Sequence, residues 1–160
     1  MRLKNDIVFV VGRSLTRNID KCIEKAYPNE ACGFIFGGVK EFNNNGDFKY
    51  TYYSKVFQCI ESSKLSPVAF LLDNDQKILE LSKIISNDKK LQLLAIFHSH
   101  PAGANPSSVD KKCMKHYHNC GIKNFNHLVW IIVDSRNKDI KGYIYLYNKL
   151  TQIKMEVSED

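Results

Sequence analysis

The residues of this chain best suited to chemistry crowd into one segment, His98-Ser99-His100-Pro101 followed by Pro106-Ser107-Ser108-Val109-Asp110. An apolar run, Leu91 to Phe97, leads straight into His98 and predicts a buried strand. Residues two apart on a strand project from the same face, so His98 and His100 can reach one metal ion together. Pro101 ends the strand pairing, and Ser107 suits the N-cap of a helix. Asp110 then falls at the third helical position, where carboxylates are favoured and from which it can aim back at the histidines. Two imidazoles and one carboxylate leave a tetrahedral zinc with one open position, the pattern of catalytic sites; structural sites are closed by four protein ligands. Taken singly, the histidines read as polar surface and Ser-x-x-Asp as an ordinary helix cap. Their order behind a buried strand favours the metal.

Hydrolysis at such a site also needs a base for the attacking water. The candidate is Glu30, in Pro28-Asn29-Glu30-Ala31-Cys32-Gly33-Phe34, an acidic residue just ahead of an apolar strand. On its own it reads as a solvated loop glutamate.

The surrounding pattern supplies elements to hold these residues. Ile7 to Val11 is a short buried strand. Leu15, Ile19, Ile23 and Ala26 recur at helical spacing between Ser14 and Tyr27, and Pro28 ends the run. Ala31 to Phe36 reads as a strand leading into Gly37-Gly38, and Lys49 to Ile60 as another, with Asn43-Asn44-Asn45-Gly46-Asp47 the turn between. Asn74 suits the cap of a helix carrying Ile78, Leu81 and Ile84-Ile85 on one side. The helix after Ser107 carries Val109, Cys113, Tyr117 and Cys120 on one stripe, and Gly121 closes it. Leu128 to Val133, Gly142 to Tyr147 and Thr151 to Val157 complete the strands. Interleaved strands and helices followed by hairpins predict an α/β fold, a mixed sheet flanked by helices.

Composition bounds the rest. The chain has 160 residues, 44% hydrophobic and 25% charged, which suits one domain with a real core and is too apolar for a disordered chain. No apolar run approaches the length that spans a bilayer. Met1-Arg2-Leu3-Lys4 ahead of Ile7 to Val11 imitates a signal peptide, but the apolar stretch is short and no small-residue cleavage site follows. The five cysteines are odd in number and scattered, so they read as small buried residues with free thiols, and the compartment as cytoplasmic. The net charge of +6 comes mainly from lysines, 19 against 4 arginines, spread over the whole length. Nucleic-acid readers concentrate basic residues on one face, so a solvated basic surface is expected, or an acidic protein partner.

These residues resemble the JAMM metalloproteases, the JAB/MPN group, and especially its small prokaryotic members. The family pattern is a glutamate ahead of a strand, then His-Ser/Thr-His-Pro, a loop and Ser-x-x-Asp. Glu30-Ala31-Cys32-Gly33, His98-Ser99-His100-Pro101 and Ser107-Ser108-Val109-Asp110 fit the three parts in order. Phe70-Leu71-Leu72-Asp73 and Leu93-Leu94-Ala95-Ile96-Phe97 extend the likeness, which covers about residues 7–147 of a single domain spanning 1–160. The loop from Pro101 to Pro106 is one residue shorter than usual in the family, and the insertions that eukaryotic relatives use to grip particular ubiquitin chains are missing.

The resemblance implies a cytidine-deaminase-like fold and one Zn²⁺ held by His98, His100 and Asp110. It implies Glu30 as general base and Ser107 as donor to the developing oxyanion. It further implies cleavage after the C-terminal Gly-Gly of a ubiquitin-like protein or a sulfur carrier of the ThiS/MoaD type, with neither membrane nor nucleic acid as partner. A tail of glycines can thread a narrow cleft and pair with a strand edge. Cys32 reads as core and not as a nucleophile. His116, His118 and His127 read as surface histidines, and Trp130 as core. Two other readings compete: a non-catalytic scaffold of the same fold, which the complete residue set opposes, and a RadC-like DNA-associated protein, whose His-x-His-Pro segment is similar but which lacks the glutamate-cysteine-glycine signature.

Overall fold

The structure, a computed structural model, describes residues 6–60, 66–122, 125 and 127–160. The charged start at Met1-Arg2-Leu3-Lys4 lies outside them. Among the described residues seven strands and four helices follow in the order β1 (Ile7–Gly12), α1 (Arg13–Ala26), β2 (Cys32–Asn44), β3 (Asp47–Ile60), α2 (Pro67–Asp73), α3 (Asp75–Lys89), β4 (Gln92–His100), α4 (Ser108–Asn119), β5 (Val129–Asp134), β6 (Ile140–Leu146) and β7 (Lys149–Ser158). The expected mixed sheet is present, and it closes on itself in the order β1-β3-β2-β4-β5-β6-β7. Parallel pairing of β1 with both β3 and β7 makes the closure. Among the described residues no helix is long and apolar enough to cross a membrane.

Two cores lie on opposite faces of the sheet. One gathers Phe9, Ile35, Phe97 and Ile131 with Leu15, Ile19 and Ile23 of α1. The other gathers Phe34, Ile96, Trp130 and Ile132 with Leu71, Ile78, Cys113 and Tyr117 of α2, α3 and α4. Strand alternation assigns residues to faces: along β4, Ile96 faces the α4 side and Phe97 the α1 side. His98 and His100 therefore fall on the α4 side, and Ser99 between them on the other.

Several local expectations are corrected. Strand β2 does not stop at Gly37-Gly38 but runs on to Asn44, with its register against β3 shifting at Phe36/Gly37. The hairpin turn sits at Asn45-Gly46, both with positive φ (54° and 84°), the conformation that Asn-Gly adopts most readily. Helix α2 was not foreseen: Ser66 caps it through the Ala69 amide, and Pro67 occupies its first turn. Within α3, Ile84 is exposed although Ile78 is buried.

The cysteine expectation also fails in part. Cys22 of α1 and Cys59 of β3 form a disulfide with Cα atoms 5.8 Å apart. Helix α1 packs along β3, which brings together two residues 37 apart in sequence. Of the three free cysteines, Cys32 and Cys113 are buried and Cys120 is exposed. Cysteine usage thus gives no argument for a reducing compartment.

Candidate metal centre and its cleft

Strand β4 delivers its two histidines to the N-terminus of α4. His98 is buried and His100 half-buried. Their Nε2 atoms stand 3.1 Å apart. Asp110 meets both, with Oδ1 3.2 Å from His98 Nε2 and Oδ2 3.0 Å from His100 Nε2. Asp110 is 3% exposed, and its position is fixed by a capping box. The Ser107 amide donates to Asp110 Oδ2 at 2.8 Å, and the Asp110 amide donates to Ser107 Oγ at 3.0 Å. The same Ser-x-x-Asp spacing thus caps the helix and turns the carboxylate toward the histidines.

Electrostatics matches this geometry. Burial would raise the Asp110 carboxyl, but hydrogen bonds with His100 and His98 outweigh it and hold the group well below the usual carboxylate range. The Asp110 hydrogen bond likewise pushes His100 above the ordinary imidazole value, against the effect of burial, with smaller contributions from the Asp110, Glu30 and Asp134 charges.

The donor set fits zinc. Bonds of about 2.0–2.2 Å to nitrogen and oxygen place the ligand atoms of a tetrahedral ion about 3.3 Å apart. In His98, His100 and Asp110 the two Nε2 atoms lie 3.1 Å apart and each lies 3.0–3.2 Å from one of the two Asp110 carboxylate oxygens, and the three form the one such group found among the described residues. Two imidazole Nε2 atoms face each other with a single carboxylate meeting both. Nδ1 of His98 is buried with no hydrogen-bond partner among the described residues.

Glu30, Ser107, His100 and Asp110 line a single cleft of about 410 Å³, which Ser66, Val68 and the half-exposed Val109 continue. All five residues singled out from the sequence thus meet in one neighbourhood. Cys32 pairs with His98 across β2 and β4 and is buried in the core, where burial and the neighbouring Cys113 push its thiol up to about 12. His116 and His127 are exposed, His118 stacks on Tyr145, and Trp130 is buried as expected.

Two supporting residues escaped the sequence reading. Ser99 Oγ accepts from the Ala31 amide at 2.8 Å, while its own amide donates to the Ala31 carbonyl at 3.0 Å. This clamp locks the residue next to Glu30 to the strand that carries the histidines. Gly33 belongs to the same constraint, because an added Cβ would lie 2.6 Å from the Phe57 ring. Asp134, buried at the end of β5 opposite His100, anchors the loop after Pro101, where Oδ2 accepts from the Gly103 amide at 2.7 Å, and its own turn, where Oδ1 accepts from the Arg136 amide at 2.8 Å. From the other side, Tyr143 donates to the Ala104 carbonyl at 3.0 Å, and Lys141 Nζ lies 3.1 Å from Asn105 Oδ1. The loop between His100 and Ser107 is thus short and tied down. A histidine pair announces itself by spacing, whereas a lone serine or aspartate at a strand end carries no comparable signal.

Known proteins agree with this picture. The family described as prokaryotic homologs of the JAB domain matches residues 13–143. The solution structure of protein DSY2949 from Desulfitobacterium hafniense is similar over 96% of this chain and 94% of that one, with a TM-score of 0.65 and 18% identity. The crystal structure of AF2198, a JAB1/MPN domain protein from Archaeoglobus fulgidus, is similar over 94% of this chain and 98% of that one, with a TM-score of 0.50 and 17% identity. A search of curated proteins by sequence finds no match. At such identities the structures speak for the fold alone, and the family match covers most of the chain. The chain belongs to the prokaryotic JAB family and has the JAB/MPN fold.

Proposed function

We propose that this protein is a zinc metallopeptidase that hydrolyses the peptide or isopeptide bond after the C-terminal Gly-Gly of a ubiquitin-like or sulfur-carrier protein. The observation that carries the reading is the convergence of His98, His100 and Asp110 on one point beside a cleft that Glu30 and Ser107 also line. A zinc held there supplies Lewis acidity, lowering the pKa of a water from about 15.7 to about 7.

The chain's own residues do the rest. Glu30 takes a proton from the attacking water and returns it to the departing amine nitrogen. Ser107 Oγ already accepts from the Asp110 amide, so its O–H remains to donate to the substrate carbonyl oxygen as that carbon becomes tetrahedral. Removing such a donor costs about 2.7–4 kcal/mol elsewhere. The half-buried placement of His100 would leave a metal held there open to the cleft, while His98 and Asp110 would hold it from buried positions. Gly-Gly suits a cleft this confined because it brings no side chains.

The test is Glu30→Gln in the zinc-loaded protein, offered a ubiquitin-like protein extended past its Gly-Gly. Turnover should fall by about 10²–10⁴-fold with the zinc content unchanged. Stoichiometric zinc with no cleavage of any Gly-Gly-linked substrate by the unmutated protein would instead favour a scaffold.

A further inference from the structure

A second cavity, of about 540 Å³, opens on the other side of Glu30 and Pro101, two residues that line both it and the metal cleft. We infer that this groove receives the amine-side half of the substrate, binding an apolar residue directly after the scissile bond and an acidic residue next to it. The inference rests on the peptidase reading above and adds a specificity to it.

Direction follows from proton transfer. The group that protonates the departing nitrogen must stand on the amine side of the scissile bond, so the amine half leaves past Glu30, into this groove. Ser66, Val68 and Val109 then flank the acyl half. Chemistry follows from the walls. Ile23, Tyr27, Pro28 and Pro101 form an apolar floor, and the prolines have no N–H to satisfy. Tyr27 is 78% exposed, a large ring left open to solvent at the mouth. Arg136 and Lys138 come from the turn after β5 and give that side a positive rim. Neither has a carboxylate within salt-bridge distance among the described residues, although the Arg136 charge is felt at Asp134. The turn is held at a fixed place relative to the site, because the Ser135 amide donates to the His100 carbonyl at 2.8 Å. Glu24 lines the opposite, α1 side, so an anion is directed to the turn.

The test uses the zinc-loaded full chain and internally quenched peptides that share a Gly-Gly acyl half and continue with Leu-Asp, Leu-Lys or Gly-Lys. Leu-Asp should be cleaved about fivefold better in kcat/KM than Leu-Lys, the scale of two exposed charge pairs turned from attraction to repulsion. The double variant Arg136→Glu, Lys138→Glu should reverse that order. In parallel, titration with the free peptide Leu-Asp-Gly should shift the backbone amide resonances of Tyr27, Arg136 and Lys138. Shifts there without turnover of any peptide support the groove and overturn the peptidase reading. Turnover with equal kcat/KM and no shifts overturns the groove and leaves the peptidase standing. Neither turnover nor shifts overturns both.

Discussion

Ser99 near the end of β4 and Ala31 just ahead of β2 exchange two hydrogen bonds, one through the serine hydroxyl and one through its amide. The clamp lies on the face of β4 opposite the histidines and joins the two segments that carry the proposed base and the proposed ligands. Replacing Ser99 with Ala leaves a buried Ala31 N–H without its acceptor, at a cost of about 1–3 kcal/mol. The Ser99→Ala protein should melt earlier and lose kcat while binding zinc as before. Ser99→Thr, which keeps the hydroxyl, should recover most of both. Metal content, melting temperature and turnover measured on the same preparations check this.

Asp110 serves as proposed ligand and as half of a capping box. Zinc at a hundredfold excess over its Kd should stabilise the wild-type chain by about 2.7 kcal/mol. His98→Ala and Asp110→Ala should both abolish that response. Asp110→Ala should also weaken the start of α4, a loss of about 1 kcal/mol, without any metal. Thermal unfolding with zinc and with a chelator separates the two effects.

How much of this could be read in the sequence follows from the range of each interaction. The histidine pair, the Ser-x-x-Asp cap and the Asn-Gly turn are local arrangements, and each appears in the structure at the expected residues. Helix α2, seven residues from Pro67 to Asp73, is too short and too uniformly apolar for a 3.6-residue period to register. The full length of β2 was hidden by Gly37-Gly38, which reads as a stop; yet Gly37 lies against the Tyr53 backbone, where a side chain would not fit, while Gly38 faces open space. The disulfide, the Ser99 clamp and the Asp134 anchor join residues far apart in sequence through tertiary packing, and no spacing encodes them.

The Cys22–Cys59 bridge closes a loop of 37 residues between α1 and β3. In the chain-entropy account a loop of that size contributes about 3–4 kcal/mol. The double variant Cys22→Ser, Cys59→Ser, or reduction of the wild type, should lower the unfolding free energy by up to that amount. Denaturant titrations with and without a thiol reductant give the difference, and equal midpoints would refute it.

Acid should reach the start of α1 through Asp160. Gly12 offers that helix no side-chain cap, and Asp160 Oδ2 accepts from the Ser14 amide at 2.7 Å instead. The hydrogen bonds from Ser14 hold this carboxyl below its ordinary value. A depressed folded-state pKa gives stability that is present above the unfolded value of about 3.9 and lost as pH falls through the lower folded value. Asp160→Asn should therefore melt below the wild type at pH 7, and the gap should close below about pH 4. Melting curves across that range show whether it does.

The parallel seam between β1 and β7 pairs Val8 with Lys154 and Gly12 with Ser158, and Arg13 reaches Glu159, 146 residues away. Everything from β1 through β7 must therefore leave the ribosome before the barrel can shut. Until then β1 presents an unpaired edge, and pairings this distant in sequence form slowly. Nascent chains interrupted before β7 should hence be the species most in need of chaperones, and the centre at His98 and His100 would be assembled on a sheet that is still open.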